Sequence, residues 1–215
     1  LFRSQVLQAR QDELTQTQIQ LEQALQQAST ELDSQQAAAE AQAAVTEEKR
    51  KAYEQATAAL DAYLKAQSQK YQDPARHCSL DFTCPLPSVG RISTYFGEPD
   101  AVYNKPHTGA DMPAASGTLI YAVADGVVSA ASARPSYGNC VQIDHGTADD
   151  GSSYATLYAH MSSFCVSAGQ TVHKGDVIGY VDNTGDVRGA NGGYHLHLEL
   201  RINGTRTDPL QYIPH

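Results

Sequence analysis

All sixteen glycines of this 215-residue chain lie at or after Gly90, and its first proline is Pro74. These two residues interrupt helices most reliably: proline lacks an N–H and clashes with the preceding turn, and glycine gives up the most backbone entropy. Residues 1–73 therefore contain no helix breaker, and they are rich in Gln, Ala, Glu and Leu, all good helix formers. Beyond them the chain is punctuated every few residues. The partition predicts two unlike parts, a helical N-terminal region and a C-terminal region of short elements joined by turns.

Within the first part, Leu7, Leu14 and Leu21 recur every seven residues, and Leu25 and Leu32 take the second seam position. After an Ala-rich middle, Val45, Ala52, Tyr53, Leu60 and Tyr63 resume in a shifted phase. This is a coiled-coil pattern. A stripe so narrow cannot build a core alone, so it must pair with a second copy, with itself or with the downstream domain. Two arrangements satisfy it: one long helix, or an α-hairpin turning near Ser29 to Gln36. The phase drift between Gln35 and Val45 keeps the hairpin open.

Residues 73–87, "DPARHCSLDFTCPLP", read as a linker pinned by Cys78 and Cys84. Short alternating stretches follow, among them "NCVQIDHG", "YATLYAH", "DVIGYVDNTG" and "YHLHLELRING", separated by Gly, Asn and Asp. The expected organisation is a coiled-coil region over 1–72, the linker over 73–87 and a compact antiparallel β domain over 88–215. A formal charge of −9 and a pI near 5.2 leave no basic stripe, which argues against a nucleic-acid partner. No run of 18 apolar residues suggests a membrane span. Leu1 stands where Met would begin a full reading frame, and no charged-then-apolar leader precedes the helix, which points to a processed or trimmed chain.

The candidate chemistry lies in the histidines. On a strand, His195, His197, Glu199 and Arg201 share one face while Leu196, Leu198, Leu200 and Ile202 line the other. Two imidazoles on one face suit metal binding or proton transfer better than plain solvent exposure. In "HTGAD", His107 and Asp111 would stand about 13 Å apart on a straight strand. Gly109 is where the backbone can bend to bring them together. A nitrogen, an oxygen and a further nitrogen suit a catalytic zinc with an open fourth position, whereas a hard cation would want more oxygens. In "YATLYAHM", His160 shares a strand face with Tyr158, and by itself reads as a half-buried strand histidine. His145 and His173 lie at turns, the first a turn residue or one lining a cleft and the second on the surface, and His77 and His215 read as solvated.

The ordered blocks "HTGADMPAASGTLIYAVADGVV", "YGNCVQIDHG", "YATLYAHM", "VSAGQTVHKGDVIGYVDNTG" and "YHLHLELRINGTRTDPLQYI" resemble the lysostaphin-like zinc metallopeptidases, the M23 or LytM-domain peptidoglycan endopeptidases, over roughly residues 88–213. The resemblance implies zinc ligands at His107, Asp111 and His197, and catalytic, non-ligand histidines at His160 and His195. It further implies a Zn2+ cofactor, stem peptides and cross-links of peptidoglycan as substrate, and a periplasmic or envelope location. Where many members carry Ser/Thr-Gly-Pro before His-x-His, this chain has Gly192, Gly193 and Tyr194 after "DNTGDVRGAN", so a Gly-rich loop could gate the groove. The coiled coil resembles that of envelope-anchored members and of relatives that only activate other hydrolases; those activators typically lose ligands, which this chain keeps. Its expected role is regulation, by docking over the cleft or dimerising, or recruitment of a divisome or envelope partner.

A different class of reading is a lipoyl- or biotinyl-type carrier. "VSAGQTVHKGDVIGYV" resembles its half-repeat, but Lys174 lies in a turn without the flanking pattern of a modified lysine. The four cysteines allow three pairings. Cys78–Cys84 and Cys140–Cys165 are the expected disulfides, in keeping with an oxidising compartment.

Overall fold

The structure, a computed structural model, describes residues 2–99, 105–187 and 192–215, with the backbone alone for residues 2–9 and 12. One helix, α1, runs from Phe2 to Tyr71. The hairpin alternative is overturned, since Ser29 to Gln36 lie inside this helix. Local chemistry explains why. The segment holds no breaker, Gln35 bonds back to Glu31, and Gln36 bonds forward to Glu40, both at the i,i+4 spacing that joins neighbours on a helix surface.

The chain divides into two compact units, Leu1–Lys51 and Ala52–His215. In the first, Leu14, Leu21, Leu25 and Leu32 are all more than 60% exposed, so the seam is unburied within one chain; the Leu7 side chain falls outside the described residues. No helix among the described residues is long and apolar enough to cross a membrane.

The second unit holds the last turns of α1 and nine strands among the described residues: β1 (Ala110–Pro113), β2 (Leu119–Tyr121), β3 (Gly126–Arg134), β4 (Gly138–Thr147), β5 (Ser153–Phe164), β6 (Thr171–Val172), β7 (Val177–Val181), β8 (His195–Ile202) and β9 (Thr205–Thr207). They form one antiparallel sheet in the order β1-β8-β5-β4-β3-β6, with β7 joining β2 to β5 and β9 pairing with β8. Alternation along β8 holds. Leu196, Leu198 and Leu200 are fully buried in the main apolar core with Met112 and Tyr158. Burying a leucine stabilises the fold by roughly 1.5–3 kcal/mol, so these three alone fix the register of β8.

The opposite face is also covered. Leu60 and Leu64 of α1 pack there on Ala130, Tyr137, Leu157 and Ala159. Leu157 and Ala159 pair in register with Glu199 and His197, so the helix lies on the face that carries the β8 histidines. Polar contacts hold it: Gln142 donates to the Leu64 carbonyl, Ser68 to Asp144, and the Arg134 guanidinium stacks 3.7 Å over the Tyr63 ring. Of the residues in the shifted heptad phase, Leu60 is buried and Tyr53 and Tyr63 are half-buried, whereas Val45 and Ala52 are exposed.

Two expectations are corrected here. His145 is a buried residue within β4, its Nδ1 against the Asp125 carbonyl and its Nε2 2.8 Å from Thr156 Oγ1. Burial pushes its pKa down from 6.5 to about 4, the nearby Asp144 carboxylate only partly opposing this. The folded state therefore refuses a proton that the unfolded chain accepts. This contribution to stability is complete above pH 6.5 and is lost as pH falls toward 4, at up to about 1.4 kcal/mol per pH unit. Compared with His145→Gln in denaturant melts, the wild type should hold an advantage near pH 7.5 that shrinks near pH 4.5, the slope following the proton difference between the states. An unchanged gap would assign the titration elsewhere.

The disulfides are the second correction, since all four cysteines are free. Asn139, next to Cys140, pairs with Met161 on β5, and Cys165 lies four residues further along. That is on the order of 13 Å of extended chain, beyond the roughly 7 Å between Cα atoms that a disulfide can bridge. The Cys140 thiol faces the Ser132 carbonyl on β3, and that of Cys165 the Val177 carbonyl on β7. Cys78 is buried beside the end of β4, its amide bonded to the Thr147 carbonyl.

Candidate metal centre

His107 and Asp111 meet because the chain bends between them. Residues 107–109 precede β1 rather than extending it, and Gly109 presses on β8 so closely that a Cβ there would stand 2.2 Å from the Leu198 carbonyl oxygen. Only glycine permits that approach. The bend brings His107 Nε2 to 3.2 Å from Asp111 Oδ1. Asp111 pairs in register with His197, whose Nδ1 lies 2.9 Å from the same oxygen. Donor atoms of His107, Asp111 and His197 all lie within 4.8 Å of one another.

The other two sequence-predicted histidines join them. His195, one pleat along β8, places Nε2 3.5 Å from Asp111 Oδ1, while its Nδ1 lies 2.6 Å from the Gly193 carbonyl. His160 reaches the cluster by a route that alternation does not give. Tyr158 points into the core, where its hydroxyl accepts from the Val123 amide, yet the His160 ring stands 4.7 Å from that of His195 on the opposite face. The cause is a left-handed backbone at His160, φ 61°, which breaks the alternation of β5 and turns the ring over. Such a conformation costs a non-glycine residue of order 1–3 kcal/mol and persists where surrounding bonds enforce it. Here the His160 amide donates to the Tyr137 carbonyl and its carbonyl accepts from Asp182. The Nδ1 of His160 meets the Thr184 carbonyl at 2.8 Å. A carbonyl oxygen only accepts, so both His160 and His195 carry a proton on Nδ1, and their Nε2 atoms are left for the cluster.

A second layer lies behind His197. Its Nε2 is 3.5 Å from Glu199 Oε1 and 3.4 Å from Thr108 Oγ1. Glu199 has no exposure and takes a 2.7 Å bond from the Tyr137 hydroxyl, together with guanidinium bonds from Arg201 and Arg206. Burial alone would raise the Glu199 carboxyl, but His197 and the two guanidiniums hold it well below the usual range. Asp111 behaves alike: burial opposes ionisation, and hydrogen bonds from His107 and His197 outweigh it. Burial would lower His197, yet the Asp111 and Glu199 carboxylates raise it to about 9. The centre is thus a buried, electronegative position that attracts positive charge.

Glu199 and Arg201 share the polar face of β8 in the sequence, but nothing there assigns them a role. Tyr137, in the turn before β4, has no sequence signal at all. Of the Gly-rich segment before His-x-His, residues 188–191 lie outside the described residues; Gly192 and Gly193 adopt φ 86° and 67°, and Asn183 donates to the Gly192 carbonyl. The five named residues line a cleft of about 190 Å³ together with Tyr53 of α1.

The donor set of two imidazoles and one carboxylate fits zinc: it is mixed nitrogen and oxygen, leaves a fourth position open toward the cleft, and backs one imidazole with a carboxylate, as zinc-ligating histidines commonly require.

Known proteins bear on this arrangement. The description of peptidase family M23 matches residues 105–209. The DD-carboxypeptidase/endopeptidase Mpg of Neisseria meningitidis serogroup B is 41% identical over 123 residues, 56% of this chain and 26% of that protein. The murein hydrolase activator NlpD of Escherichia coli is 33% identical over 129 residues, 60% of this chain and 30% of that protein. A crystal structure of a putative peptidase M23 from Pseudomonas aeruginosa shares the fold with a TM-score of 0.56 and 29% identity, over 72% of this chain and 60% of that one. The chain spans between about a quarter and a third of the length of these two curated relatives. The stretch that matches peptidase family M23, residues 105–209, contains the His107–Asp111 bend and both β8 histidines.

Proposed function

We propose that this protein is a zinc-dependent endopeptidase that hydrolyses peptide bonds in the cross-links of peptidoglycan, in the periplasm or cell envelope. The observation that carries the reading is the convergence of three donor atoms, on His107, Asp111 and His197, with two further imidazoles whose Nε2 atoms face the same cleft. In this reading the three donors hold zinc, which supplies a Lewis acid to polarise the scissile carbonyl and acidify a water. The remaining work falls to the chain. His160 stays neutral, because burial and the neighbouring His197 and His195 push its pKa down to about 3, so its Nε2 keeps a lone pair that accepts a hydrogen bond from the attacking water. His195, on the other side of the cluster, takes the water's proton on Nε2 and, once so charged, donates a hydrogen bond to the developing oxyanion or passes that proton to the leaving amine. The Gly193 and Thr184 carbonyls keep both rings in the tautomer this requires.

The helix serves regulation or recruitment in the same reading. Its part from Ala52 onward packs on the catalytic face and places Tyr53 at the cleft, which supports restraint of access. The exposed leucines of the first unit support pairing with a second copy or with an envelope protein.

The competing reading is an activator of other hydrolases, favoured by the similarity to NlpD. Digestion of purified sacculi by zinc-loaded protein separates the two. Soluble muropeptides should appear, and their release should stop with a chelator and resume on adding zinc. Zinc-loaded protein that releases none by itself yet accelerates digestion by an added cell-wall hydrolase would establish the activator reading.

A further inference from the structure

Asp61 lies on the docked part of α1, far in sequence from the metal centre, yet two links of charge connect it to a candidate ligand. Its carboxylate grips Arg206 with two bonds, Nη1 to Oδ2 at 2.8 Å and Nη2 to Oδ1 at 2.7 Å, and takes Arg201 Nη2 at 2.9 Å. The same guanidiniums reach past it to Glu199: Arg201 donates to Oε2 through Nη2 at 2.7 Å and Nε at 3.2 Å, and Arg206 donates to Oε1 through Nε at 3.1 Å. Glu199 Oε1 then stands 3.5 Å from His197 Nε2. Two carboxylates and two guanidiniums make a balanced set, most of it buried, with Asp61 its most exposed member.

We propose that Asp61 is a positioning residue for the metal centre: by anchoring and neutralising Arg201 and Arg206 it holds Glu199 against His197 Nε2, so that the helix sets the metal affinity of a site it does not ligate. The proposal rests on the zinc reading given above. Its physics is direct. A guanidinium held on both edges cannot swing, and bidentate charge-assisted pairs are the strongest way to hold one. Without Asp61, Glu199 would answer to two guanidiniums with one carboxylate, leaving a surplus positive charge beside a position meant for a dication. A carboxylate that orients a ligating histidine also raises its basicity, so displacing Glu199 would weaken the metal bond. Because coupling free energies are reciprocal, zinc should in turn tighten the docking of residues 52–71.

A plain docking ion pair would give a different result. The test uses the full chain and its Asp61→Asn, Asp61→Glu, Arg206→Lys and Ser68→Ala variants, with the zinc dissociation constant measured by competition against a chromophoric chelator and the stability of each zinc-free protein measured separately. Loss of an immediate outer-layer partner weakens metal binding by roughly 10- to 100-fold, so Asp61→Asn, one link further out, should weaken zinc by about 10-fold. Asp61→Glu should restore most of it. Arg206→Lys keeps the charge but loses the fork, and should weaken zinc as well, which covers the case of an unfolded Asp61→Asn. Ser68→Ala removes a helix-to-sheet bond remote from the metal and should leave zinc affinity unchanged. Wild-type affinity in Asp61→Asn and Arg206→Lys, or an equal loss in Ser68→Ala, would overturn the proposal. Absence of zinc from the wild type would instead fail the metal-site reading itself.

Discussion

His107→Ala, Asp111→Ala and His197→Ala should each lose zinc and peptidoglycan cleavage together. Each substitution removes one of only three protein donors, and two donors cannot hold a dication against water at micromolar free metal. The loss should exceed the roughly 10- to 100-fold that removing an outer-layer partner costs. His197→Ala is the sharpest case, because it also leaves Asp111 and Glu199, both held ionised by their surroundings, without the imidazole that lies between them. Metal analysis after dialysis, with circular dichroism to establish that the fold is retained, reads the result. Stoichiometric zinc in His197→Ala would remove that residue from the ligand set, and wild-type cleavage by any of the three would remove the zinc mechanism.

Alternation made the β8 part of this centre legible, since period two is a property of any strand and the apolar face of Leu196, Leu198 and Leu200 left the polar face to be explained. The approach of His107 to Asp111 was legible for another local reason: without the glycine between them two residues four apart on an extended chain could not meet. The antiparallel β domain followed from its turn punctuation in the same way. What escaped the sequence depends on contacts between distant segments. His160 was assigned the face of Tyr158 because the rule of alternation has no means of anticipating a left-handed residue; the bonds that enforce it come from Tyr137 and Asp182, on two other segments. His145 looked like a turn because a glycine follows it, whereas β4 continues through that Gly146 with an irregular register. The hairpin was kept open by a lapse in heptad phase, yet with no breaker in that segment the helix continues through it. Asp61 shows the limit most clearly. In "AALDAYLKA" it is one more polar residue on a polar helix, and only the fold brings Arg201 and Arg206 to it.

Removing either non-ligand histidine should leave zinc in place and cost most of the turnover, which is the second large effect expected. A general acid or base contributes about 10²- to 10⁴-fold to a rate, so His195→Ala should keep stoichiometric metal while sacculus digestion falls by that order. His160 needs a gentler substitution, because its backbone sits at φ 61°, where asparagine is tolerated better than alanine. His160→Asn keeps the turn of β5 and removes the imidazole, so a loss of rate in it reports on chemistry rather than on a shifted strand. The pH profile of His160→Asn gives a second readout. With His160 pushed down to about 3, its neutral form dominates throughout the neutral range, so losing it should lower the rate without moving an ionisation in that range. Rates measured from about pH 5 to 9 on zinc-loaded protein test this, the rate following whichever essential group titrates. A His160→Asn protein that is folded but metal-free would make His160 a ligand, and one that digests sacculi at the wild-type rate would take it out of the mechanism.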